Sequence, residues 1–190
     1  MNQTTSKQRP SVEVAVTMRR EAVVGAMSRW QSHRWALESV DLIEEGQVST
    51  ATLLNKNDSS ERWLHTGYKV ELFTDDAEGY YLNVTTDAPC WFVLWRMEED
   101  AGISDVPVAK PEMVSLSYHD AGRWMDAQET VDQVPLPPEM VAWLQSFVDK
   151  YHVIEPKKRK RPESFKRLED RFGNPVSIST DKKFGGSGHG

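Results

Sequence analysis

Apolar and polar residues alternate in several parts of this chain, and a period of two is typical of a β-strand with one buried face. Over residues 12–19, valine or methionine takes every second position, which predicts a first strand. Residues 34–43 also alternate, but the phase changes near Ser39, as it does where a strand carries a β-bulge. Polar and small residues dominate residues 44–61, so we expect a connection there.

The middle of the sequence has two alternating stretches, residues 62–73 and 79–86, on either side of an acidic segment at 75–79 that ends in glycine. Aspartate and glycine favour tight turns, so the two stretches predict an antiparallel hairpin. Residues 90–97 form a continuous apolar run, which is typical of a strand covered on both faces. One more alternating stretch at 112–118 predicts a further strand.

A different spacing, of three, four and seven residues, predicts an amphipathic helix over residues 138–152. Pro138 suits the first turn of a helix, where its missing N–H group would have no partner. The apolar stripe of this helix consists of Met140, Val141, Leu144, Phe147, Val148 and Tyr151. We also expect a short helical turn at 123–129. The expected fold class is α+β, mainly antiparallel β, as a meander or half-barrel of about six strands covered by this C-terminal helix.

Charge divides the chain of 190 residues after Glu155. Residues 1–155 carry 13 basic and 25 acidic side chains, a net of −12, whereas residues 156–190 carry 10 and 4, a net of +6. We therefore expect a flexible N-terminus at 1–10, a single globular domain at 11–155, called the acidic body below, and a basic, largely disordered tail at 156–190. The tail opens with five consecutive cations, Lys157, Lys158, Arg159, Lys160 and Arg161.

The length of the apolar runs in the sequence indicates whether the protein is inserted in a membrane or secreted. No stretch approaches the roughly 18 uninterrupted apolar residues of a membrane helix, and the first residues lack the apolar segment of a secretory signal. We therefore expect a cytoplasmic protein without membrane contact. The one cysteine, Cys90, cannot form an internal disulfide, and we interpret it as a small buried apolar residue.

No arrangement of titratable residues points to a reaction. The five histidines are scattered, and no two have the spacing that brings metal ligands together on a helix: His33, His65, His119, His152 and His189. His119 and Asp120 are neighbours at the end of a predicted strand, where consecutive side chains point to opposite faces, so we do not expect them to form a catalytic pair. Glycine-rich phosphate loops and the nucleophile elbow are missing. We expect no catalytic residues, no metal site and no cofactor.

Seven tryptophans are the more informative residues. Tryptophan is enriched both in large cores and in the energetic centres of protein interfaces. We assign Trp91 and Trp143 to the core and predict Trp30, Trp35 and Trp63 as exposed anchors for a partner. With His33 and the five cations of the tail, these three tryptophans are the candidate partner-binding residues.

Three motifs resemble a bacterial domain-of-unknown-function family numbered thirty-three oh five. They are RWQSHRW at 29–35, FTDDAEGYYLNV at 73–84 and VPLPPEMVAWLQSFVDKYHVIEPKKRKR at 134–161. The resemblance implies a genomic neighbourhood, because members are typically encoded beside molybdenum-dependent formate dehydrogenases and their maturation factors. It implies no catalytic residues. The extension over 162–190 departs from the family pattern.

These observations lead us to expect a non-catalytic cytoplasmic accessory protein that assists assembly, maturation or regulation of a molybdenum-dependent formate dehydrogenase. Its expected partner is a subunit of that enzyme or one of its maturation factors. Two alternatives stay open. One is a small-ligand or cofactor-binding barrel in which Trp91, Trp95 and Tyr80 or Tyr81 line a cavity. The other is a nucleic-acid-binding module that uses Lys157–Arg161, which the acidic body disfavours by repelling phosphates.

Overall fold

The computed structural model describes residues 9–99, 102, 104 and 106–153. These residues form two antiparallel β-sheets and three α-helices, and they belong to one compact unit that ends at Val153. In chain order the elements are β1 (Ser11–Ala22), β2 (His33–Ile43), β3 (Ala51–Lys56), β4 (Ser60–Glu71), α1 (Ala77–Val84), β5 (Cys90–Glu98), β6 (Val108–Ser115), α2 (Tyr118–Asp126), β7 (Thr130–Pro135) and α3 (Pro138–Tyr151).

The larger sheet has the strand order β2-β1-β4-β3. A register shift in the β1–β2 pair leaves Glu38 without an opposite residue, which confirms the β-bulge predicted near Ser39. A second shift, between β1 and β4, lies at Gly67. Gly67 has a φ of +92°, and a Cβ there would lie 2.6 Å from the Cα atom of Ser49. Both conditions require glycine, because other residues rarely adopt this φ and have no room for a side chain.

The smaller sheet has the order β6-β5-β7, and two side chains tie it to the larger sheet. Asp132 on β7 accepts hydrogen bonds through Oδ2 from the backbone N–H of Leu37 on β2 and from the indole N–H of Trp95, each at 3.0 Å. The second tie is made by Tyr68 on β4, an inner strand of the larger sheet, whose hydroxyl donates to the carbonyl of Pro111 on the edge strand β6 at 2.7 Å. The two sheets are therefore joined by one contact between edge strands and one between an inner strand and an edge strand.

The larger of the two hydrophobic clusters among the described residues draws on both sheets and on α1 and α3. Trp91 and Leu144 are both 0% exposed, and they share a cluster with Val14 and Val16 of β1. The core position predicted for Trp91 is therefore confirmed, and Trp143 is half-buried against the same cluster. Helix α3 lies where the apolar spacing predicts a helix, and its Phe147 ring meets Tyr80 edge to face at 5.7 Å.

The hairpin predicted at 62–73 and 79–86 is wrong in its second half. Residues 77–84 form α1, preceded by a 3₁₀ turn at Thr74–Asp76. The helix is favoured because it buries Ala77, Tyr80 and Val84 on one face, a helical spacing that the neighbouring apolar residues conceal. Its buried Asn83 also donates to the carbonyls of Cys90 and Leu116, both at 2.8 Å, and accepts from the Cys90 N–H group at 3.0 Å.

Other expectations also need correction. Residues 44–61 contain β3, an edge strand whose mostly exposed side chains give no apolar alternation. The strand predicted at 112–118 starts earlier and ends at Ser115, and α2 follows where only a short turn at 123–129 was expected. Strand β7 was not predicted. The described residues thus have seven strands in two sheets, and these form neither one six-stranded meander nor a closed barrel. The predicted tail, 156–190, lies outside the described residues.

The buried side chain of Leu144 provides a test of the core. Leu144→Ala should lower the free energy of unfolding by about 2 to 5 kcal/mol, because it removes buried methyl groups and leaves a cavity. Ser146→Ala, two residues along on the exposed side of α3, should change it by less than about 0.5 kcal/mol. Denaturant unfolding measures both. Equal losses in the two variants would contradict this core.

Burial also shapes the acid response of His65 on β4. The ring is 4% exposed, and its Nε2 atom has no hydrogen-bond partner among the described residues. Burial, together with the charge of Lys110, lowers the pKa of His65 from its ordinary 6.5 to about 4, against the opposing effects of Glu98 and the Ala109 backbone. The fold therefore favours the neutral imidazole.

This lowered pKa predicts a pH-dependent loss of stability. Between the two pKa values the unfolded chain binds more protons than the folded one, so the free energy of unfolding falls as the pH falls. We expect His65 to contribute a loss of about 2 kcal/mol between about pH 7 and about pH 5. Denaturant unfolding at both pH values should show a smaller loss for His65→Gln than for the wild type. Equal losses would mean that folding does not lower the pKa of His65.

Candidate partner-binding surface

The loop between β1 and β2, residues 23–32, is closed at its base and ordered by its own hydrogen bonds. The N–H group of Val23 donates to the carbonyl of Ser32 at 2.9 Å across the base. A 3₁₀ turn at Ala26–Arg29 forms the tip, and the N–H group of Trp30 donates to the carbonyl of Met27 at 3.0 Å. The loop therefore has a defined shape without support from the core.

Three apolar side chains of this loop point into solvent. Val24 is 88% exposed, Met27 63% and Trp30 87%. Single exposed apolar residues are common, but this short loop has three within seven residues, including a tryptophan. Exposed tryptophan is typical of the anchor residues of protein interfaces. We call Val24, Met27 and Trp30 the apolar tip.

The charge around the apolar tip is opposite to that of the rest of the body. Residues 19–34 carry four arginines and one acidic residue, Glu21, a net of +3. The remainder of residues 1–155 carries 9 basic and 24 acidic side chains, a net of −15. The loop and its flanking strand ends are thus a local positive region, which attracts acidic surfaces.

Beside the base of the loop lies a cleft of about 260 Å³, lined by Arg20, His33, Lys56, Asn57, Asp58 and Glu61 among others. We call it the basic cleft. Glu61 forms its buried wall, with the whole residue only 2% exposed. Its carboxylate accepts from the Trp63 indole N–H at 2.7 Å and from the Arg20 guanidinium at 3.3 Å, and Lys56 Nζ lies 3.6 Å away.

The surroundings of Glu61 keep it ionised. Burial by itself would raise the pKa of Glu61, but the Trp63 hydrogen bond, the charge of Lys56 and the contact with Arg20 together lower it below its ordinary value. Since a buried carboxylate is stable only when it is paired, these partners are held close to it. Glu61 thereby fixes two cations at the wall of the basic cleft.

The structure separates the tryptophans predicted as exposed anchors. Trp30 is exposed at the apolar tip, and His33 lines the basic cleft. Trp35, opposite Arg20 in the strand pair, is half-buried and packs against the core. Trp63 is only 4% exposed, so its prediction as an exposed anchor is wrong. The tail cations Lys157–Arg161 lie outside the described residues.

Sequence reasoning missed the other members of this surface. Val24 and Met27 lie outside any periodic stretch, so nothing in the pattern distinguished them from core residues. Lys56 lies on β3, within a segment that we expected to be a connection. Arg20 and Glu61 are 41 residues apart in sequence and meet only because β1 and β4 are neighbours in the sheet.

A second cavity, of about 530 Å³, lies where β4, β6, α1 and α2 meet. Tyr80 is buried at its wall, and its hydroxyl oxygen accepts from the N–H group of Phe73 at 3.2 Å. Burial first, and then the charges of Asp76 and Asp120, raise the pKa of Tyr80 to about 12, so the hydroxyl stays protonated near neutral pH.

The polar groups of this second cavity are engaged with one another. Ser115 Oγ donates to Asp120 at 2.6 Å, and Arg123 pairs with the same carboxylate. His119 Nδ1 lies 3.5 Å from Asp76 Oδ1, so His119 contacts a carboxylate other than that of its neighbour in sequence. The serine beside this pair, Ser117, instead caps α2 by accepting from the N–H group of Asp120. These contacts stabilise the helix starts and do not form a nucleophile–base arrangement.

Three further features concern metal binding, membranes and the cysteine. Among residues 9–99, 102, 104 and 106–153, no three His, Cys, Asp or Glu side chains lie close enough to hold a metal ion. Within those ranges, too, no helix is long and apolar enough to cross a membrane. Cys90 is buried, and burial raises the pKa of its thiol, which is the environment of an unreactive cysteine.

Fold and surface together define an α+β protein of two antiparallel sheets with an apolar tip in a positive region. The family model for a protein of unknown function, DUF3305, matches residues 13–161. The chain belongs to this family, the one that the three sequence motifs indicated. No curated protein and no solved structure matches the chain.

Trp63, which donates to Glu61, and Trp30 of the apolar tip should respond differently to substitution. Trp63→Phe removes the indole N–H that Glu61 accepts and should lower the free energy of unfolding by about 1 to 3 kcal/mol. Trp30→Ala should change it by less than about 0.5 kcal/mol, because the ring is in solvent. Denaturant unfolding at neutral pH measures both values. A large loss in Trp30→Ala would contradict the exposed position of this ring.

Proposed function

We propose that this protein is a non-catalytic accessory protein that binds a partner protein through the apolar tip of the β1–β2 loop. The observation that carries the proposal is the 87% exposure of Trp30 on a loop that is ordered by its own hydrogen bonds. An ordered loop loses little conformational entropy on binding, and a fully exposed indole gains from being covered.

We further propose that the partner is a cytoplasmic subunit or maturation factor of a molybdenum-dependent formate dehydrogenase. Support comes from the resemblance described above, because family members are typically encoded beside such enzymes. The RWQSHRW motif that contributes to the resemblance covers the second half of the loop and the start of β2. The proposed contact surface therefore includes part of one motif that carries the resemblance to the family.

Two observations favour a protein partner over a nucleic acid. The tip presents apolar side chains, which suit a protein surface better than a phosphate backbone. The remainder of residues 1–155 carries a net of −15 and would repel a duplex. The ligand-binding alternative has one supporting observation, the second cavity beside Tyr80, but Trp91 does not line this cavity, and both cations of its wall, Lys69 and Arg123, are already paired with carboxylates.

Capture from native cytoplasm tests this proposal. The immobilised full chain should retain a formate dehydrogenase subunit or maturation factor, identified by mass spectrometry. Trp30→Ala should weaken that capture at least about tenfold, as expected for an anchor worth about 2 kcal/mol. Met27→Ala should weaken it as well.

A matched control separates a specific contact from general adhesion. Met125 on α2 is 55% exposed, close to the 63% of Met27, and Met125→Ala should leave capture unchanged. If the chain captures neither a dehydrogenase subunit nor a maturation factor, the proposed partner is wrong. Undiminished capture by Trp30→Ala would contradict the proposed surface.

A further inference from the structure

The basic cleft has hydrogen-bond donors beyond those that Glu61 uses. Arg20 gives Glu61 one guanidinium contact at 3.3 Å, and Lys56 Nζ lies 3.6 Å from the same oxygen, longer than a hydrogen bond. His33 contacts Ser32 Oγ through Nδ1 at 3.1 Å. Within the described ranges these three side chains make no further side-chain hydrogen bond, so their remaining N–H groups are available to a ligand.

The walls of the basic cleft are held in place before any ligand binds. Glu61 is buried and fixes Arg20 and Lys56 from below. On the rim, Asn57 Oδ1 accepts from the backbone N–H groups of Ser59 and Ser60 at 3.0 and 2.7 Å, which fixes the β3–β4 turn. Donors that are already positioned bind an anion at a smaller entropic cost.

Size and charge restrict the anion that fits. A cleft of about 260 Å³ is smaller than the roughly 300 to 1,000 Å³ of sites for drug-sized ligands, so it suits one side chain or a small oxyanion. Glu61 and Asp58 place two negative charges around it, and they repel a phosphate dianion more strongly than a carboxylate. A planar carboxylate also matches the fork of the Arg20 guanidinium.

We propose that the basic cleft, which lies at the base of the loop that carries the apolar tip, binds an aspartate or glutamate side chain of the partner protein. The inference rests on the proposed function in assigning this carboxylate to a protein partner. Arg20 and Lys56 would supply the charge-assisted hydrogen bonds, and the ring of His33 would complete the wall. The protein would thus select a partner whose surface has an acidic residue beside an apolar pocket for Trp30.

The test is an NMR titration of the full chain at constant ionic strength. The probe is an acetylated and amidated tripeptide with a central glutamate, and the readouts are the His33 ring, the Arg20 Nε–H group and the Trp63 indole. We expect saturable shifts of these signals with this peptide and none with its glutamine counterpart. Lys56→Gln should weaken binding at least about fivefold through loss of a charge-assisted hydrogen bond, and Lys56→Arg should retain it.

Lys69 provides the matched control. Its side chain is 52% exposed and pairs with Glu71 at 3.3 Å, while that of Lys56 is 55% exposed. Lys69→Gln should bind the probe like the wild type, and equal weakening would overturn the proposal as general charge attraction. Inorganic phosphate that binds as tightly as the glutamate peptide would overturn it in favour of a free oxyanion site. The absence of saturable shifts would also overturn it.

This titration needs no partner protein, so the two proposals can fail separately. Capture that depends on Trp30 without carboxylate binding would reject the basic cleft and leave the accessory function standing. Carboxylate binding without capture of a dehydrogenase subunit or maturation factor would support the basic cleft and reject the named partner.

Discussion

A buried carboxylate, Glu61, organises the end of the larger sheet. It is 2% exposed, and a charge so far from water is stable only if its partners are close. Those partners come from three strands: Arg20 from β1, Lys56 from β3 and Trp63 from β4 itself. Because this carboxylate needs hydrogen bonds and opposite charges, it holds the ends of three strands together. These strand ends form the wall of the basic cleft and the base of the β1–β2 loop.

This arrangement divides the tryptophans by role. Trp63 uses its indole N–H to satisfy Glu61 and its ring to fill the interior, so it is part of the support. Trp95 has a comparable role at the junction of the sheets, where it shares Asp132 with the backbone of Leu37. Trp30 makes no such contribution and leaves its ring in solvent. A residue that the fold does not need is free to be used for binding.

Charge and shape act together at the same place. The acidic body keeps acidic surfaces away in general, whereas the arginines between residues 19 and 34 attract them locally. The apolar tip can cover an apolar pocket on a partner, and the basic cleft can receive one carboxylate beside it. In the complex that we propose, specificity would come from the requirement that both groups occur together on the partner.

The sequence by itself determined the strands that face the core on one side and the helix at Pro138–Tyr151, because their buried residues repeat with the period of the element. It also determined the bulge near Ser39 and the charge contrast along the chain. It could not determine α1, because Tyr80, Tyr81, Leu82 and Val84 fit a strand as well as a helix. The helix depends on the buried Asn83, which donates to backbone carbonyls on β5 and just before α2. Tertiary structure alone decided that Arg20, Lys56 and Glu61 meet and that Trp63 is buried while Trp30 is not. The physical reason is that strand pairing brings together residues far apart in sequence, and a periodic pattern records only which face of its own strand a residue occupies.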